Sequence, residues 1–181
     1  MRRLFGSKLH EESARRLYAG IVEQARQPEF FLACGLPDSV DGRFDLLVLH
    51  VFLVMHRLKR DRTETADLSQ ALFDILFQDM DESLREMGAG DMGVGRRIKA
   101  MAEGFYGRIL AYERALDQGA DVLEECVRRN LYGAADPGRD QVRSVAHYIA
   151  REVASLATQD LERLAQGQVA FGPAPGPAAP R

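Results

Sequence analysis

Apolar positions return with a helical period along most of the chain, and no run of four to eight residues alternates strictly between turn signals. The pattern therefore predicts helices and no strands. Leu9, Leu17, Ile21 and Ala25 mark one face of a first helix over Ser7–Arg26, after which Pro28 opens a short apolar piece, PEFFLAC, closed by Gly35 and Pro37. A second long helix, Arg43–Lys59, carries Phe44, Leu47, Val48, Val51, Phe52, Met55 and Leu58 on one face. Leu46, Leu49, Leu53 and Val54 cover much of the other, so this helix is expected at the centre, contacted all round. Thr63 or Thr65 can cap a third helix running to Met87, with Gly88 in the left-handed position that ends it. MGAGDMGVG then predicts a sharp bend or close backbone approach. Beyond it lie a helix over Arg96–Gln118, a short one ended by Gly133, and a last one over Asp140–Ala165.

The expected fold is all-α: a single compact domain of six to seven helices over residues 1–166. A Pro/Ala/Gly tail, 167–181, follows and is expected to be disordered, because four of the seven prolines fall in GPAPGPAAPR, where fixed φ and missing N–H groups prevent helix.

Composition narrows the function classes. The 181 residues are 46% hydrophobic and 28% charged, which excludes a disordered chain, a collagen-like repeat and a multispan membrane protein. The longest apolar run, Leu46–Met55, is broken by His50 and is about half the ~20 residues a span needs. A net charge of -3 and a pI near 5.8 give no global attraction to nucleic acid or anionic lipid. Cys34 and Cys126 sit in no CxxC or Cys/His spacing and are expected to be buried and reduced. The N-terminus lacks the apolar stretch of a secretory signal, and Glu11 and Glu12 argue against a transit peptide, so the protein is expected to stay where it is made.

Candidate chemistry is sparse. His50 and His56 are six apart, on different helical faces, and are not expected to ligate metal; His50 reads as a hydrogen-bonded core residue. No Glu-x-x-His occurs, and the glycine loop lacks the GK[ST] ending and the preceding strand of a phosphate loop. No catalytic constellation, metal or cofactor is expected. The informative feature is basic charge. Arg96, Arg97 and Lys99 fall in the first turn of the predicted fourth helix, where the helix dipole disfavours cations, and Arg57, Lys59, Arg60 and Arg62 form a second group. Either the acidic side of the third helix (Asp74, Asp79, Asp81, Glu82, Glu86) or an anionic partner would offset that cost. FYGR, Phe105–Arg108, sets aromatics beside Gly and Arg.

Three segments together carry a resemblance: DLLVLHVFLVMHRLKR (Asp45–Arg60), LSQALFDILFQDMDESLREMGAGDMGVGRRIKAMAEGFYGR (Leu68–Arg108) and RRNLYG (Arg128–Gly133). They resemble the ubiquinol-cytochrome c chaperone family, and the chain is similar to it from the first helix to about Leu164. The resemblance implies a non-enzymatic assembly factor for respiratory complex III that binds newly made cytochrome b. It implies a bacterial member in the cytoplasm, which can lie peripherally at the cytoplasmic face of the inner membrane or near the ribosome, with no nucleic-acid partner. The proposed contact surface is Arg57, Lys59, Arg60, Arg96, Arg97, Lys99, Phe105, Tyr106 and Arg108. Two other classes stay open at this stage: a helical regulator or nucleic-acid adaptor, from the arginine groups, and a haem-binding bundle, from His50 and His56.

Overall fold

The computed structural model describes residues 2–86, 88 and 91–176, with side chains for 10–86, 88 and 93–176. Expectations for the side chains of Leu9 and Met87, and for residues 177–181, lie outside the described residues. Within them the fold is helical, without strands. The helices are α1 (Arg2–Ala25), α2 (Glu29–Leu32), α3 (Val40–Leu58), α4 (Arg62–Glu86), α5 (Asp91–Gln118), α6 (Ala120–Val127), α7 (Arg139–Thr158) and α8 (Leu161–Ala165).

The two-sided apolar pattern of α3 has the expected consequence. Leu46, Val48, Leu49, Val51 and Val54 are all 0% exposed, and α3 is packed by α1, α4, α5 and α7 together. Ser39 starts it as N-cap, its hydroxyl accepting from the Gly42 N–H at 3.1 Å. Gly42 is required there: a Cβ would come within 2.1 Å of the Pro37 carbonyl oxygen. His50 is a core residue. Its Nδ1 donates to the Leu46 carbonyl at 2.8 Å, which leaves Nε2 to accept from the Tyr148 hydroxyl at 2.8 Å. Burial lowers its pKa to about 4 and holds it neutral.

Several boundaries depart from the pattern. No N-cap breaks α3 from α4; a single 3₁₀ turn, Lys59–Asp61, joins them, and the Thr65 hydroxyl donates to the Leu58 carbonyl instead of capping a start. Gly88, at φ 83°, does close α4 as expected. The expected long last helix is two, divided at Gln159. The Asp160 carboxylate caps α8, accepting from Glu162 N at 3.0 Å, while Arg57 reaches across to take the end of α7. α6 runs into a π turn, Arg128–Tyr132, where the Asn130 side chain donates to the Cys126 carbonyl at 2.8 Å, and Gly133 at φ 56° ends it as expected.

The expectation of a disordered tail needs correction up to Gly176. The prolines do keep residues 167–176 out of helix, but Val169, Phe171 and Ala174 pack against the core and Pro175 is buried. Long-range bonds hold this strap. Gln24 Nε2 donates to the Gly172 carbonyl at 2.9 Å and the Gly172 N–H donates to Glu152 Oε2 at 2.9 Å.

Candidate functional site: an arginine-rimmed cavity

α1, α3, α4 and α5 do not close completely on one another, and a cavity of about 660 Å³ opens between them. Its apolar wall comes from the stripes that also build the core: Val22 and Ala25 on α1, Phe44 and Leu47 on α3, Met80 on α4 and Met101 on α5. Four arginines surround that wall, Arg26 from the turn that follows α1, Arg43 from α3, and Arg97 and Arg108 from α5, with Asp41, Asp45 and Asp79 between them.

Two of the arginines are held. Arg108 Nη2 lies 2.6 Å from Asp45 Oδ1, and Gly104 one turn back makes room for it, since a Cβ there would sit 2.8 Å from Arg108 Nη1. Desolvation pushes Asp45 up to about 6; Arg108 pulls it down and Asp41 adds to the push. The pair is therefore ionised at pH 7 but within reach of mild acid. Arg108 Nε is buried without a hydrogen-bond partner among the described residues, so the cavity keeps one unspent donor. Arg43 donates from Nε to Asp38 Oδ1 at 2.6 Å, which raises its pKa, and its guanidinium lies 5.5 Å from the Phe31 ring centre. Asp79 accepts from the Tyr18 hydroxyl at 2.6 Å. Arg26 and Arg97 are exposed and make no side-chain hydrogen bond or ion pair among the described residues. An apolar slot with two uncommitted guanidinium groups at its mouth can seat an apolar segment that carries acidic or carbonyl groups at its edge. Among the described residues no group of three His, Cys, Asp or Glu is placed to hold a metal ion.

The nine residues proposed from sequence do not form one surface. Arg97 and Arg108 reach the cavity. Arg96 and Lys99 are exposed on the same turns of α5, and Tyr106 is 57% exposed beside Phe73 with ring centres 5.6 Å apart. Phe105 is 1% exposed, locked against Phe73 and Phe77, and belongs to the core. Arg57 is also interior: at 8% exposed it donates to the Leu156 and Gln159 carbonyls at 3.0 Å each and to Asp61 at 2.5 Å. Lys59 and Arg60 are exposed at the far end of α3, roughly 20 Å along the axis from Asp45 at 1.5 Å per residue, and Lys59 pairs with Glu113 at 2.7 Å.

The supposed cost of basic residues in a first helical turn also disappears. α5 begins at Asp91, so Arg96 sits beyond that turn and Gly93 and Gly95 are inside the helix. The acidic residues of α4 are engaged elsewhere: Asp81 with Arg85, Asp74 with Gln70, Glu82 with Gln78. Sequence reasoning missed Arg26, Arg43 and Asp45 as site residues. Only Asp45 left a signal, as a carboxylate set between Phe44 and Leu46 at the head of the most apolar helix.

The comparisons agree with this architecture. A crystal structure described as that of the Cbp3 homolog from Brucella abortus superposes with a TM-score of 0.83 at 35% identity, covering 95% of this chain and 96% of that one. Two vertebrate proteins named ubiquinol-cytochrome c reductase complex assembly factor 1 align over 162 residues, 89% of this chain. The Xenopus laevis protein is 25% identical with 81% of its length covered, and the mouse protein 24% identical with 55% covered. The chain thus spans about half the length of the mouse relative. A family profile described as ubiquinol-cytochrome C chaperone matches residues 32–171, more than half of the sequence and inclusive of α3–α8 and the first half of the strap. The chain belongs to the ubiquinol-cytochrome C chaperone family.

Proposed function

We propose that this protein is a chaperone for assembly of ubiquinol-cytochrome c reductase, and that it holds newly made cytochrome b at the α1/α3/α4/α5 cavity until cofactors and partner subunits arrive. The carrying observation is the cavity itself: an apolar wall large enough for several side chains, with Arg26 and Arg97 unpaired at its mouth. An unfinished membrane protein presents apolar helix ends flanked by polar loop groups, and such a site matches both parts. The partial occupation of the arginines by Asp45 and Asp38 keeps the grip moderate and so releasable. A bacterial member would act in the cytoplasm, peripherally at the inner face of the inner membrane and near the ribosome, where its client emerges. Family membership and the names of the vertebrate relatives support the assembly role.

The test is made in the host with Arg97→Glu and Ala100→Glu together, both at exposed rim positions. Assembled complex III should fall several-fold while the other respiratory complexes keep their amounts and the variant chain accumulates normally. Unchanged complex III would overturn the proposal.

A further inference from the structure

The strap is held mainly through its backbone. Ala170 has both backbone groups taken by one side chain: Gln159 Nε2 donates to its carbonyl at 2.6 Å and Gln159 Oε1 accepts from its N–H at 3.1 Å. Two residues on, Gly172 is treated alike, with Glu152 Oε2 accepting from its N–H and Gln24 Nε2 donating to its carbonyl, each at 2.9 Å. Arg151 then donates to the Pro173 carbonyl. The bonds to Ala170 and Gly172 fall on alternate residues, while Val169 and Phe171 pack inward, Phe171 edge-on to His50 at 5.5 Å between ring centres.

Three features make this a recognition site and not mere packing. The polar groups read backbone alone, so they do not depend on the sequence at positions 170 and 172. Glu152 is 0% exposed, and a carboxylate so buried requires its donors, of which the strap N–H is one besides Arg151. The groove is thus built around having a peptide in it. Glycine at 172 is the one sequence requirement beyond the two apolar residues, because a Cβ would lie 2.7 Å from Glu152 Oε1.

We infer that the groove between α1, α3 and α7 is a peptide-binding site for extended segments of the pattern apolar-x-apolar-Gly in a partner polypeptide, and that the strap is its resident competitor. Gly167, at φ 84° and pressed against Ser13 and Arg16, is the pivot from which the strap leaves α8. Main-chain reading with side-chain pockets at alternate residues is the logic of strand-addition recognition, here supplied by side chains instead of a sheet edge. Tethering gives the strap a high effective concentration, so outside peptides enter only when it is weakened. The groove is separate from the cavity: Gly20 and Gln24 meet the strap on the flank of α1 about 160° around the helix from Val22.

The test uses a fluorescein-labelled peptide of residues 167–176, GQVAFGPAPG, and fluorescence anisotropy. Full-length chain carrying Val169→Ser and Phe171→Ser should bind it about tenfold more tightly than the native chain, and adding Gln159→Ala should remove that gain. A second form covers failure of that variant to fold: the native chain with a protease site inserted between Gly167 and Gln168 should take up the labelled peptide after cutting and not before. Equal binding by native and weakened chains, absence of uptake after cutting, or equal binding of a scrambled peptide each overturns the inference. Complex III amounts in the Arg97→Glu, Ala100→Glu host do not enter this result, so the two proposals fail separately.

Discussion

Arg57 illustrates how a charged side chain can be structural in a chain rich in exposed arginine. Two of its bonds close the end of α7, at the Leu156 and Gln159 carbonyls, and the third pairs it with Asp61. Arg57→Met removes the side-chain donor to the Gln159 carbonyl, leaves the Leu156 carbonyl with the Gln159 N–H, unpairs Asp61, and should lower stability by about 3 kcal/mol in urea unfolding. Arg60→Ala, exposed three residues away, should stay within about 0.5 kcal/mol. Similar values for the two would place Arg57 on the surface. A second residue-scale prediction concerns pH. His50 has a folded pKa of about 4, below its unfolded 6.5, so unfolding takes up a proton in that window and acidification from 6.5 to 4 removes stability, by roughly 3 kcal/mol in full. Asp45 works in the opposite direction: its folded pKa of about 6 exceeds 3.8, so protonation below pH 6 relieves the folded state. Asp45→Asn should therefore steepen the loss of stability between pH 6.5 and 4, and His50→Gln should flatten it. Parallel profiles for the native chain and both variants would refute the assignment.

At the scale of elements, two glycine substitutions separate required from incidental backbone freedom. Gly42→Ala drives a Cβ into the Pro37 carbonyl and should cost about 2 kcal/mol, shifting the start of α3 that positions Asp45. Gly95→Ala lies inside α5 with nothing within 4 Å of the added methyl and should raise stability by about 0.5 to 1 kcal/mol in thermal unfolding. A destabilised Gly95→Ala would mean that α5 does not begin at Asp91. The long elements were legible because their apolar stripes are local and periodic: Leu17, Ile21 and Ala25 on α1, or Val142, Val145 and Ile149 on α7, are buried as the spacing implies. The start of α5 was not, because glycine density reads as loop whatever the backbone does. The break at Gln159 was not, because it depends on Arg57, about a hundred residues earlier. The strap was read as unstructured for a related reason: proline content reports the lack of helix, whereas order there comes from Gln24, Glu152 and Gln159 on distant turns.

For the whole molecule, α3 acts as an axle with a different site on either flank of α1: the open cavity toward α4 and α5, and the filled groove toward α7. Arg97 and Arg108 could be named from sequence because they lie in one basic segment of one helix. Arg26 and Arg43 could not, since only the tertiary packing brings the end of α1 and the start of α3 to the same cavity as the α5 arginines. The cavity is where the proposed chaperone role is exposed to direct contradiction. A photo-reactive amino acid replacing Arg97, activated by light in living cells during synthesis of the respiratory chain, should capture newly made cytochrome b as its principal product. Capture should weaken several-fold when Met101→Asp is added to charge the apolar wall. Recovery of ribosomal protein or nucleic acid in place of cytochrome b, or capture indifferent to Met101→Asp, would contradict the account.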